Sequence, residues 1–273
     1  MRNPFGTNMN HRSEIVHNAP PHTRSRQSTS LTQLAELPDT QLLRRIGELA
    51  REEGSRAYVV GGYVRDLLLG RGTTDIDITV SGDGVAFARK VRPALHGSRV
   101  VAFERFGTAR LQVRGMEIEF VGMRREEYLE ESRKPNVAAG SIEDDLARRD
   151  FTVNAMAASI MPEDFAALVD PYDGRGDLER RLLRTPLDPA ATFSDDPLRM
   201  MRAFRFAAQL DFRIDPDALA AVERMQERIR IVSMERVRDE FLKLLAAPRP
   251  SVGLAPMMED RKSTRLNSSH VSQ

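Results

Sequence analysis

The run Gly70-Arg71-Gly72-Thr73-Thr74-Asp75-Ile76-Asp77-Ile78 carries two carboxylates at alternate positions. In an extended strand alternate side chains share a face, so Asp75 and Asp77 emerge together while Ile76 and Ile78 turn to the core. Two carboxylates this close repel each other unless a cation lies between them. An oxygen-only pair suits Mg²⁺, which keeps its remaining positions for water and substrate phosphates. Just upstream, Ala57-Tyr58-Val59-Val60-Gly61-Gly62 reads as a short apolar strand ending in a glycine pair, and Tyr63-Val64-Arg65-Asp66 opens a helix. Backbone without Cβ atoms approaches a phosphate closely, and a helix N-terminus favours an anion. Together these features point to phosphoryl or nucleotidyl transfer. Either motif alone carries little weight; the order strand, glycine turn, helix, acidic strand carries much more.

Three further groups of residues bear on this chemistry. Glu117 and Glu119 share one face of a strand expected over Met116 to Val121, and either would supply a third carboxylate if that strand lies beside Asp75 and Asp77; a solvated outer strand face has the same pattern. Arg148-Arg149-Asp150-Phe151-Thr152-Val153-Asn154-Ala155 brings guanidinium forks, a carboxylate and an amide into one turn, a set able to hold phosphate and sugar hydroxyls. In Ser194-Asp195-Asp196-Pro197-Leu198-Arg199, Ser194 or Asp195 suits a helix N-cap with Pro197 in the first turn. Asp196 and Arg199 are three apart, and Arg202 and Arg205 continue the step, so all are neighbours on a helix surface. A solvated ion-pair stripe has the same pattern. The functional alternative gives Asp196 and Arg199 a donor–acceptor edge for a nucleobase, with Arg202 and Arg205 reaching a triphosphate.

The elements that must position these groups are legible. Strands are expected at Val59 to Gly61, Asp75 to Val80, Val100 to Phe103, Ala109 to Val113 and Met116 to Val121, with Arg114-Gly115 as a hairpin turn. Helices are expected from about Leu31 to Glu53, ended by Gly54, and from Val85 to Leu95. Beyond Gly174 and Gly176 the texture becomes helical: Phe193 to Leu210, Pro216 to Arg228 and Ser233 to Leu245. Residues 1–30 are polar and aperiodic, as in a disordered extension, and lack the apolar core of a secretory signal. Pro248, Pro250 and Gly253 break the last pattern, so 248–273 is expected to be an unstructured tail, and the Ser/Asn-rich 262–273 looks foreign to the rest.

Composition sets the bounds. With 273 residues, 41% of them hydrophobic and 30% charged, the chain can bury a core as one large domain or two ordinary ones. No apolar run approaches the roughly 20 residues of a membrane span, so a cytoplasmic protein without membrane partners is expected. The absence of cysteine excludes disulfides and thiolate metal sites. The five histidines are scattered without metal-ligand spacing. Of 41 basic residues only four are lysine; arginine is the better phosphate fork, though a GC-rich genome gives the same bias.

Taken in order, these motifs resemble those of the class II tRNA nucleotidyltransferases (CCA-adding enzymes) and bacterial poly(A) polymerases of the polymerase-β-like superfamily. Residues 61–77 resemble the catalytic motif, 148–155 the ribose-recognising motif and Asp170 to Gly174 the head–neck hinge. Asp195 to Arg199 resembles the base-selecting Glu-Asp-x-x-Arg motif with Asp195 in place of Glu, and Ser233 to Glu240 the last neck motif. The resemblance implies an α/β nucleotidyltransferase head over 31–177, a mixed β-sheet with flanking helices, then an all-α neck over 178–247 that binds nucleobase and RNA. The family's C-terminal body and tail are expected to be missing. It implies that Asp75 and Asp77 hold two Mg²⁺ ions with Glu119 as third carboxylate, and that Gly61, Gly62 and Arg65 face the triphosphate. Arg149, Asp150 and Asn154 would bind the ribose, Asp196 and Arg199 the incoming base, and Arg202 and Arg205 phosphates. The implied reaction adds CMP and AMP, from CTP and ATP, to tRNA 3′ ends without a nucleic-acid template. Poly(A) polymerase, A-only or C-only addition, and an inactive nucleotide- or RNA-binding fragment are the alternatives.

Overall fold

The computed structural model describes residues 39–72, 75–127 and 136–258. The extension over 1–30, the first part of the helix expected from Leu31 and the stretch 262–273 lie outside the described residues. The first helix, α1 (Thr40–Glu52), buries Leu42, Leu43, Ile46 and Leu49 along one face, the spacing of an amphipathic helix. It is followed by β1 (Ala57–Val60), α2 (Gly62–Leu68), β2 (Asp75–Val80), α3 (Gly84–Val91), β3 (Val101–Phe103), β4 (Thr108–Val113) and β5 (Met116–Gly122). A two-stranded ladder, β6 (Arg124–Glu127) and β7 (Asn136–Ala139), precedes α4 (Ile142–Ala147), β8 (Ala157–Ser159) and β9 (Leu168–Val169).

The head is a seven-stranded sheet in the order β3-β4-β5-β2-β1-β8-β9. Every described pairing in it is antiparallel except β2 with β5. The alternation in the sequence explains its two faces. Ile76, Ile78, Ala109, Leu111, Val113, Ile118 and Phe120 turn inward and join one core with residues of α1 and α3, where Phe87 meets Phe120 edge-on at 5.6 Å. The polar alternates point to the open face. The five expected strands and the turn at Arg114-Gly115 are present, both turn residues having positive φ, as such a turn demands. β8 and β9 were not anticipated: Ala157-Ala158-Ser159 has no β-branched signal and becomes a strand by pairing with the far edge of β1.

Beyond the sheet, in and around the region expected to hold the neck, come α5 (Gly174–Arg180), β10 (Leu182–Leu183), α6 (Pro189–Asp195), α7 (Leu198–Leu210), β11 (Arg213–Ile214), α8 (Pro216–Met225), α9 (Met234–Leu245) and a last helix, α10, over 250–258. The region is helical as expected, with β10 and β11 adding a two-residue parallel ladder between its helices. Three expectations are corrected here. The single helix over Phe193 to Leu210 is divided, since Asp196 before Pro197 is extended (φ −140°, ψ 101°), the conformation a following proline favours. Neither Ser194 nor Asp195 caps α7; the Asp196 carboxylate accepts from the Leu198 amide at 3.2 Å, and Pro197 is the N-cap residue rather than part of the first turn. Finally, residues 250–258 are helical rather than a tail. Gly253 lets α10 lie against α7, where a Cβ would come within 2.3 Å of the Phe204 carbonyl oxygen, and Pro250 stands at the helix start, where its missing N–H costs nothing. Among the described residues no helix is long and apolar enough to cross a membrane.

Candidate active site

The parallel pairing of β2 with β5 fixes the acidic centre. Its register sets Asp75 opposite Glu117 and Asp77 opposite Glu119, and directly opposed residues share a sheet face. Asp75, Asp77 and Glu119 thus stand together on the open face. Burial raises the Asp77 pKa, Arg149 opposes the rise, and repulsion from Glu119 and Asp75 adds to it. Glu119 is turned to Arg110, whose Nε donates to its Oε2 at 2.7 Å. Among the described residues no group of three or more His, Cys, Asp and Glu side chains is arranged to hold a metal. The candidate ligands are therefore Asp75 and Asp77, hard oxygen donors on one face whose mutual repulsion a divalent cation would relieve, and this donor set fits Mg²⁺.

Gly61 ends β1 with φ +68° and begins α2, a conformation that disfavours any side chain. A Cβ there would meet Arg149 Nη1 at 2.6 Å, so the bare turn is what lets Arg149 approach. Arg149 follows α4, which opens with a capping box between Ser141 and Asp144. Its Nη2 donates to Asp145 at 3.1 Å, while its buried Nε has no acceptor in the described structure. Asp145 is fully buried, and although burial opposes ionisation, Arg149 and Arg148 hold its carboxyl below the usual range.

A second network joins head to neck. Asp150 Oδ1 accepts from the Phe151 amide at 2.8 Å and from Asn154 Nδ2 at 3.0 Å, and Oδ2 accepts from Arg202 of α7 at 2.8 Å through Nε. Burial works against the Asp150 charge, but Arg202 and Asn154 lower its pKa. Asn154 Oδ1 in turn accepts from Arg65 at 2.7 Å, and Arg65 also grips Asp66. Arg205, nearly buried, is ion-paired with Glu240 of α9 at 2.5 Å and lies 3.9 Å from the Phe206 ring centre. Asp196 is met by Arg236 at 3.1 Å, and Arg199 donates to the carbonyls of Thr192 and Arg148.

All the expected site residues (Gly61, Gly62, Arg65, Asp75, Asp77, Glu119, Arg149, Asp150, Asn154, Asp196, Arg199, Arg202 and Arg205) line one cleft of about 760 Å³. That volume suits a nucleotide-sized ligand. The Arg199 amide donates to the Asp196 carbonyl at 3.0 Å, while the side chains are anchored elsewhere, Asp196 by Arg236 and Arg199 by the Thr192 and Arg148 carbonyls, leaving them as separate acceptor and donor on the cleft wall. Sequence reasoning missed Arg110, although the alternation of Thr108, Arg110 and Gln112 with buried Ala109, Leu111 and Val113 places it on the acidic face. It also gave no individual role to Arg236, which lines the cleft, or to Glu240.

Comparison with known proteins agrees with this geometry. Residues 57–184 match the model of the "Poly A polymerase head domain", and 211–261 match "Probable RNA and SrmB- binding site of polymerase A". The chain is 36% identical to an A-adding tRNA nucleotidyltransferase of Halalkalibacterium halodurans over 81% of its own length and 52% of that protein's. It is 37% identical to a CCA-adding enzyme of Levilactobacillus brevis, covering 83% of this chain and 55% of that one. A Thermotoga maritima CCA-adding enzyme solved with tRNA superposes with a TM-score of 0.74 at 32% identity, over 85% of this chain and 54% of that one. The chain thus spans about half the length of the relatives it matches. The family matches cover the sheet that bears the acidic register and most of the helices beyond it, and the chain belongs to the class II tRNA nucleotidyltransferase family, that of the CCA-adding enzymes.

Proposed function

We propose that this chain carries the catalytic head and neck of a template-independent RNA nucleotidyltransferase that adds CMP and AMP to tRNA 3′ ends and releases pyrophosphate. The observation that carries the reading is the register of β2 on β5, which gathers Asp75, Asp77 and Glu119 in a cleft that eight arginines also line. Asp75 and Asp77 would hold Mg²⁺, which when bound supplies activation of the RNA 3′-hydroxyl and neutralises charge on the leaving pyrophosphate. The chain's own residues do the rest. Arg149, with an unsatisfied buried Nε, and Arg65 receive phosphate oxygens beside the bare Gly61-Gly62 turn. Asp150 and Asn154 offer hydrogen-bonding edges to ribose hydroxyls. Asp196 and Arg199 present an acceptor and a donor to the base, so protein side chains select the nucleotide. Arg202 and Arg205 add positive charge near the phosphates, tempered by Asp150 and Glu240. Positioning and fixed charge supply most of such catalysis, and a cytoplasmic location belongs to the same reading.

The test is extension of a tRNA lacking its 3′ CCA, with Mg²⁺ and CTP, ATP or both. Ordered addition of two C and one A supports CCA addition. The similarity to an A-adding relative, as great as that to a CCA-adding one, supports a second reading, A-only addition. That reading gains if ATP is used only on a primer already ending in CC. Long A tails would point instead to a poly(A) polymerase, and no extension despite nucleotide binding would overturn the transfer reading for this chain.

A further inference from the structure

The open face of the sheet continues beyond the carboxylates. Register pairs Asp77 with Glu119, Glu119 with Arg110, and Arg110 with Val101. The neighbouring row runs Thr79, Val121, Thr108, Phe103. Opposed residues share a sheet face, so both rows lie on the face that bears the acidic centre. Thr79, Val121 and Thr108 line the cleft; Phe103 completes their row on the edge strand. At that edge apolar groups are open to solvent: Val101 is 53%, Phe103 42% and Phe106 59% exposed. Arginines stand beside the rings, Arg110 5.6 Å from the centre of Phe103 and Arg105 5.8 Å from that of Phe106. The Phe106 carbonyl accepts from Arg124 of the cleft wall at 3.1 Å.

In nucleotidyl transfer the attacking hydroxyl and the departing pyrophosphate lie roughly in line on opposite sides of the phosphorus. Gly61, Arg149, Asn154 and the α7 arginines all stand on the β1 and neck side of the carboxylates. An acceptor strand must then cross the other side, over β5, β4 and β3. Three inter-strand steps from β2 to β3 span roughly 14 Å, the reach of a few nucleotides. Exposed aromatic rings flanked by guanidinium groups are what unpaired bases stack on.

We propose that Phe103 and Phe106, with Arg105 and Arg110, form the seat of the unpaired 3′-terminal nucleotides of the acceptor RNA. The rings stack bases and the guanidinium groups meet the phosphates between them. This assignment rests on the transfer reading above and names where its acceptor lies. A tRNA lacking its CCA end and carrying 2-aminopurine as terminal base provides the test, because stacking quenches that fluorophore without any need for turnover. Wild-type protein should quench it. The double variant Phe103→Ala/Phe106→Ala should lose the quenching and bind the RNA about tenfold more weakly, the equivalent of one stacked base. Its equilibrium affinity for ATP should stay unchanged, and Phe103→Tyr/Phe106→Tyr should restore quenching. Undiminished quenching and RNA affinity in the double variant overturn the seat, as does ATP affinity falling in step with RNA affinity. If wild-type protein extends RNA while the double variant keeps both signals, only the seat fails; if wild-type protein neither binds nor extends RNA, both readings fail.

Discussion

Arg202, on the first neck helix beyond Pro197, closes on Asp150 of the head with Nη2 2.6 Å from Oδ2. Asp150 is 6% exposed, and its other oxygen is taken by the Phe151 amide and Asn154. The pair therefore links neck orientation to the groups that would meet a ribose. Replacing Arg202 by Met strands a buried carboxylate. The expected cost is ~2 kcal/mol, less than a fully buried pair would show because Arg202 is itself one-third exposed. Urea denaturation reads this directly, and an unchanged midpoint would remove the pair from the stability argument.

The same pair, with Asp145, predicts acid sensitivity. Both carboxyls have folded pKa values lowered despite burial, by Arg202 and Asn154 in one case and by Arg149 and Arg148 in the other. A lowered folded pKa contributes stability that is complete above the unfolded value, about 3.9 for aspartate, and is lost as pH falls through the folded value. Stability should therefore drop steeply below about pH 4, and Asp150→Asn should flatten that drop while lowering stability at pH 7. Chemical denaturation between pH 7 and pH 3 measures both effects.

Asp77→Asn separates chemistry from folding. The side chain is partly buried and repelled by Glu119 and Asp75, so removing its charge should leave the melting temperature equal or higher. Nucleotidyl transfer should fall by at least on the order of 10²-fold, and chelation of divalent cations should abolish the wild-type reaction. Near-normal turnover in Asp77→Asn would dismiss the metal-ligand assignment.

Gly61→Ala is expected to impair the site through geometry alone. The backbone is left-handed there and a Cβ would meet Arg149 Nη1 at 2.6 Å, costing ~1–2 kcal/mol and displacing Arg149. Weaker ATP binding with a folded circular-dichroism spectrum is the expected outcome; unaltered affinity would show that Arg149 does not serve the triphosphate.

Arg199 and ionic strength test selection and RNA contact separately. Arg199→Ala should narrow the ratio of kcat/KM for CTP and ATP, with some loss of stability because the side chain also ties the Thr192 and Arg148 carbonyls. RNA affinity should fall with salt at a slope of roughly −0.7 per phosphate neutralised on a single strand. A flat response in gel-shift titrations would deny an arginine–phosphate interface.

By itself the amino-acid sequence determined the acidic strand, the glycine turn, the alternating faces of β2, β4 and β5, the helical texture after residue 178 and the residues of the cleft. These follow from local rules: a period of two in strands, glycine where φ is positive, and motif spacing along the chain. Tertiary structure decided the rest. Whether Asp77 faces Glu119 depends on β2 pairing with β5 in parallel register across some forty residues, which no local pattern encodes. Ala157-Ala158-Ser159 becomes a strand because β1 has an edge to pair, and 250–258 becomes a helix because α7 offers a surface where Gly253 fits. Arg202 and Arg205 lay on one helix stripe in the sequence; folding gave one to Asp150 and the other to Glu240, because a charge moved out of water takes whichever counter-charge the packing brings to it.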